Sequence, residues 1–156
     1  MRLLLDTHAF LWWLAGERAL TRKARTAIES EDNNIFVSAV TAWEIAMKFR
    51  IGKLPDAAAI ARDVTGAIAA EGFSELALSM AHAEHAGALD GPHRDPFDRM
   101  LIAQSLIDGL ALISNERAFD RYGVTSRGCG RKAGGHIITR LAELEALYGR
   151  PNEALP

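Results

Sequence analysis

Apolar positions along this chain fall into two rhythms. Short, wholly apolar runs of strand length occur at residues 3–5, 35–37 and 110–113, with a weaker candidate in "FSELAL" at 73–78. Between them lie longer stretches with helical spacing. These are "AFLWWLAG", "LTRKARTAIES", "SAVTAWEIAMKFRIGK", "PDAAAIARDVTGAIAAEG", "SMAHAEHAGALDG" and "DPFDRMLIAQSLIDG". Thr21 is placed as the cap of the second helix. The third starts near Ser38 and ends at Gly52, and the fourth begins at Pro55 and Asp56 and runs to Gly72. The sixth has the clearest punctuation: Asp95 as N-cap, Pro96 at the first helical position and Gly109 as stop. Continuous apolar strands alternating with helices predict an α/β fold, with a mostly parallel sheet covered on both faces.

In such a sheet ligands sit beyond the carboxyl ends of the strands, near a topological switch point. Asp6 follows the first apolar run directly, and Asn115 and Glu116 follow the run "LALIS", so both acids are expected on one rim. Asp6 has an ordinary reading as a helix cap and a second as a metal ligand or catalytic carboxylate. Glu44 falls with Val40, Met47 and Ile51 on one face of its helix, where an inward carboxylate needs a cation or several donors. Its ordinary reading is an i, i+4 pair with Lys48. Asp95 and Asp98, in "DPFD", suit an N-cap and the helix dipole, and Asp98, one turn in, is placed to point into the crevice as well. Thr7 is read either as a cap or as a hydroxyl that orients a water or a carboxylate.

Composition narrows the chemistry. The chain has 156 residues, a single cysteine and a net charge of −2. One cysteine excludes an internal disulfide framework and a Cys-rich zinc site. The charge gives no global case for nucleic-acid binding, so that case rests on local residues such as Lys48, Arg94 and Arg99. No run approaches the roughly 18 apolar residues of a membrane span. Asp6 and His8 interrupt an otherwise signal-like start, so a cytoplasmic protein is expected. No Walker loop and no G-x-S-x-G occurs. His82 and His85, at i, i+3, are read as surface or capping residues, and Trp12, Trp13 and Trp43 as packing residues. Converging carboxylates cannot all stay ionised without a cation, and an all-oxygen set suits Mg²⁺ or Mn²⁺. That equipment serves phosphodiester hydrolysis.

Four stretches, "LLLDTHAFLWWL", "VSAVTAWEIAMK", "HRDPFDRMLIAQS" and "LISNERAFDRYGV", in that order, resemble the motifs of PIN-domain ribonucleases, in particular the VapC toxins of bacterial toxin–antitoxin pairs. The resemblance covers roughly residues 1–124 and implies a three-layer α/β/α sandwich, Mg²⁺- or Mn²⁺-dependent RNA cleavage, a VapB antitoxin and a homodimer. It carries the family's acids onto Asp6, Glu44 and Asp98, with Glu116 standing where the family usually has Asp. Thr7, Ser38, Asp95 and Asn115 are supporting candidates. Residues 125–156 depart from the family and read as a linker, "TSRGCGRKAGG", followed by an extension with one helix-like stretch. Two rival readings are a metal-dependent phosphatase, which commonly has a second aspartate where this chain has His8, and a non-catalytic interaction module.

Overall fold

The computed structural model describes residues 1–91, 94–114 and the backbone of 126–128. Its sheet has the order β3-β2-β1-β4-β5, built from β1 (Arg2–Leu5), β2 (Asn34–Ser38), β3 (Ser74–Leu76), β4 (Ala111–Ser114) and β5 (Ser126–Gly128), and every pairing is parallel. From β1 the chain steps outward to β2 and β3, then crosses back to β4 and β5. The direction reverses between β1 and β4, so the switch point lies where Leu5 and Ile113 are partners.

Seven helices accompany the described strands: α1 (Thr7–Leu14), α2 (Arg22–Glu29), α3 (Ala39–Arg50), α4 (Ala58–Arg62), α5 (Val64–Ala70), α6 (Met80–Ala88) and α7 (Pro96–Asp108). The strand side chains alternate between two cores, as a pleated sheet requires. Leu3, Leu5, Ile35, Val37 and Ile113 join residues of α1, α2, α4 and α5 on one face. Leu4 and Leu112 join Phe97, Leu101 and Ile102 of α7 on the other. Helix α3 feeds both, through Ile45 and Val40. The result is the expected three-layer α/β/α sandwich, and the three central strands carry apolar runs at 3–5, 35–37 and 111–113 because both faces are covered there.

The signals at α7 act as read from the sequence. The Asp95 side chain accepts from the Phe97 amide (2.9 Å), Pro96 opens the helix, and Gly109 closes it in the left-handed conformation at φ 64°. Three expectations are revised. The fourth helix is broken: a 3-10 turn (Pro55–Ala57) leads into α4, and Asp63 ends α4 and caps α5 through the Gly66 amide. An aspartate competes with helical hydrogen bonding and restarts the helix in a new direction. The stripe drawn through Glu44 does not reach Ile51, which is 47% exposed; Thr41 and Ile45 complete the buried side of α3. The sheet also runs past 124 into what reads as a linker, since β5 pairs with Leu112–Ser114 of β4. The rest of the linker, Cys129 and the C-terminal extension lie outside the described residues.

Candidate functional site

Asp6 leaves the carboxyl end of β1 at the switch point, its amide donating to the Ile113 carbonyl (3.1 Å). It is both the helix cap and a member of the site. Its Oδ1 accepts from the Ala9 amide (2.6 Å), which starts α1, while the residue lines a cleft of about 140 Å³. Burial raises the Asp6 carboxyl above the usual carboxylate range. Hydrogen bonds from the Ser114 side chain and the Ala9 amide, and the charge of His8, offset part of the rise; the charge of Glu44 adds to it.

The same cleft is lined by Thr7, His8, Glu44, Lys48, Asp95 and Asp98. Chain segments far apart in sequence therefore bring Asp6, Glu44, Asp95 and Asp98 to one place, at the carboxyl end of β1 and the first turns of α1 and α7. Glu44, one turn into α3, is buried, and both readings of it hold. It faces inward, and its Oε1 pairs with Lys48. Its Oε2 accepts the hydroxyl of Thr7. Thr7 is thus not the cap of α1 but a carboxylate-orienting hydroxyl, with Thr41 Oγ1 3.5 Å away.

Ser38 stands behind the site. Its Oγ accepts from the Val40 amide (3.0 Å), capping α3, and donates to Gln104 Oε1 (2.6 Å). Gln104 Nε2 in turn donates to the Ala77 carbonyl (3.2 Å), so one buried amide ties α7, α3 and the segment after β3 together. Arg99 is placed away from any backbone-guiding role. Its guanidinium donates to the carbonyls of Ala86 (2.9 Å), Gly87 (3.2 Å) and Leu89 (2.7 Å) and so closes the end of α6. Arg94 is exposed. Asn115 and Glu116 lie outside the described residues.

Three residues carry more than the sequence reading gave them. Ser114 supports Asp6, Gln104 locks Ser38, and His8 lines the cleft. Only Ser114 had a usable signal, its position at the carboxyl end of β4. His82 is a capping residue as expected, its Nδ1 accepting from the Ser79 amide (3.1 Å). Trp12 packs in the core, but Trp43 does not: it is 53% exposed and tilts against Phe97 at 4.6 Å between centroids.

Comparison with known proteins agrees with this fold. Residues 3–124 match the model of the PIN domain. Over 70 residues the chain is 36% identical to Ribonuclease VapC16 of Mycobacterium tuberculosis, a match covering 45% of this chain and about half the length of that relative. In fold the chain is similar to a chain of VapBC2 from Rickettsia felis, solved with a DNA fragment from the promoter, at TM-score 0.60 and 12% identity over 82% of this chain and 98% of that one. A toxin–antitoxin complex from Klebsiella pneumoniae gives TM-score 0.51 and 21% identity over 75% and 89% of the two chains. DNA-bound VapBC from Salmonella typhimurium gives TM-score 0.51 and 16% identity over 82% and 98%. With a family match spanning most of its length, and acids gathered at the switch point of a parallel α/β/α sandwich, this chain belongs to the PIN domain family.

Proposed function

We propose that the chain is a divalent-metal-dependent endoribonuclease, the toxin half of a toxin–antitoxin pair, acting in the cleft beside the ends of β1 and β4. One observation carries this reading: Asp6, Glu44, Asp95 and Asp98 line a single cleft at the switch point of a PIN-family fold. VapC16 and the VapBC complexes support the choice of RNA as substrate and of a VapB-type antitoxin as partner. Homodimeric assembly and a cytoplasmic location belong to the same proposal. No helix among the described residues is long and apolar enough to cross a membrane.

The donor set is all oxygen, which fits Mg²⁺ or Mn²⁺. Burial raises the Asp6 carboxyl, with a smaller contribution from the charge of Glu44, and a cation bound beside it would favour its ionised form. Asp6, Glu44 and Asp98 are expected to hold the ion in part through water, and among the described residues no three Asp, Glu, His or Cys side chains are already grouped around one point. Asp6 and Asp98 would hold the ion with water in its other positions, a common mode for Mg²⁺, with Glu44 and Asp95 beside them. When bound, such an ion neutralises phosphate oxygens and lowers the pKa of a water. The chain's own residues supply position: Ala9 and Ser114 hold Asp6, Thr7 holds one oxygen of Glu44, and the Asp95 cap fixes the helix that carries Asp98. Arg94 is the exposed cation proposed to meet the RNA backbone. Glu116, with Asn115, completes the proposed acid set.

The test is cleavage of labelled RNA by the purified chain with Mg²⁺ or Mn²⁺. Asp6→Asn should lower the rate by about 10²-fold or more, and chelation should abolish it. Cleavage unaffected by both would sink the reading. An interaction module would give neither cleavage nor carboxylate-dependent ion binding.

A further inference from the structure

Lys48 occupies a position that the proposed chemistry does not require of it. The cleft is lined by four carboxylates, and Lys48 is the one lysine or arginine among its described lining residues. Its ammonium does not reach across the cleft but turns back one helical turn onto Oε1 of Glu44, whose side chain is 7% exposed. The Lys48 side chain is 24% exposed, so its head has a route to water. The other oxygen of Glu44 is fixed by Thr7.

An ammonium in this place does two things. It supplies the positive charge that a buried carboxylate needs, and it subtracts one charge from the field that attracts a divalent ion. Lysine suits a reversible role of this kind. It is a strongly hydrated point charge on a flexible four-carbon stem, whereas an arginine fork would pair with the carboxylate in two places and hold it.

From this geometry we infer that Lys48 is a displaceable counter-cation. It neutralises Glu44 in the ion-free protein and withdraws to solvent when a divalent ion enters the cleft, so that it sets the affinity of the site for that ion. The inference rests on the proposed metal-dependent reading.

The experiment is Mn²⁺ binding to the full chain by calorimetry, without RNA. Lys48→Met should bind Mn²⁺ about fivefold more tightly than the unmodified chain, the upper range for a partly exposed ion pair. Lys48→Arg should not tighten binding, and the gain from Lys48→Met should vanish in a Glu44→Gln background. Equal or weaker binding by Lys48→Met overturns the inference and points to a lysine that organises Glu44 as a ligand. A second measurement needs no variant protein. On adding Mg²⁺, the side-chain nitrogen resonance of Lys48 should move to that of a solvated lysine, and an unmoved resonance overturns the inference. If the unmodified chain shows no ion binding that Asp6→Asn diminishes, the metal-dependent function falls and the inference falls with it. If such binding is present but Lys48→Met does not tighten it, the inference alone falls.

Discussion

At the amino end of the sheet, Arg2 of β1 donates to the Asp108 carbonyl at the end of α7 (2.7 Å), and His82 Nε2 stands 3.2 Å from the Asp108 carboxylate. That last contact is one of distance rather than of hydrogen-bond alignment, since Asp108 Oδ2 has no hydrogen-bond partner. The N-terminal ammonium is bound nearby by the Asp32 carbonyl and Asn33 Oδ1. At the carboxyl end, β1 runs into Asp6 and α7 begins with Asp95 and Asp98, in a cleft whose described lining residues include four carboxylates and one lysine. One strand and one helix thus span both ends, and the ends differ in charge balance. At the amino end Arg2 and the N-terminal ammonium are paired with carbonyl and amide oxygens, and Asp108 keeps one oxygen without a hydrogen bond. The carboxyl end gathers, among the described lining residues, more acids than bases, on a framework held from behind by the Ser38–Gln104 pair and the Ser114 contact. The proposed function places an incoming cation or substrate at that rim.

If this contrast is right, equivalent changes at the two ends have unlike results. The largest effect is expected from Asp98→Asn, which should reduce RNA cleavage by about 10²-fold or more while circular dichroism stays native. Asp108→Asn, at the other end of the same helix, should leave the cleavage rate unchanged. Next comes the brace behind the acidic rim. Gln104→Ala strands the Ser38 hydroxyl and empties buried volume, and should cost about 2–3 kcal/mol in urea unfolding. A smaller loss would mean that the rim does not depend on that amide.

The pH dependence of stability sharpens the comparison further. The folded protein holds the Asp6 proton more tightly than the unfolded chain does, because burial raises its carboxyl. In the ion-free protein, stability contributed by that proton is present below the unfolded value and is lost as pH rises through the folded one. Asp6→Asn should therefore raise the melting temperature at neutral pH and flatten its fall between acid and neutral pH. An unchanged slope would place the cost of Asp6 elsewhere. The smallest effect is expected at the amino end, where His82→Ala removes a capping acceptor and should cost about 1 kcal/mol with cleavage intact.

The framework of the fold was legible because its signals are local. The apolar runs of β1, β2 and β4 need only their own composition to declare burial on both faces, and α7 carries cap, proline and stop within 15 consecutive positions. The elements misread are those whose outcome depends on partners. Asp63 reads as one polar residue in a helical stretch, yet its side chain ends one helix and starts the next. Ser126–Gly128 has linker composition, and it is a strand because β4 offers an unpaired edge. At the site, the carboxyl-end rule located Asp6, and the helical face located Glu44. Sequence spacing could not tell that Thr7 would reach 37 positions along the chain to Glu44, or that Arg99 would be spent on the carbonyls of α6. Those choices are made by packing between segments, which no single stretch encodes.

The three indoles also sit in graded surroundings. Trp12 is buried, Trp13 is half-buried with its Nε1 donating to Glu71 (2.7 Å), and Trp43 is half-open to solvent against Phe97, next in sequence to Glu44. Trp43 should therefore emit furthest to the red and be the most readily quenched by iodide. Replacing Trp12 and Trp13 by phenylalanine would leave a chain whose fluorescence reports on the contact between α3 and α7, the two helices that carry Glu44 and Asp98, with no label attached.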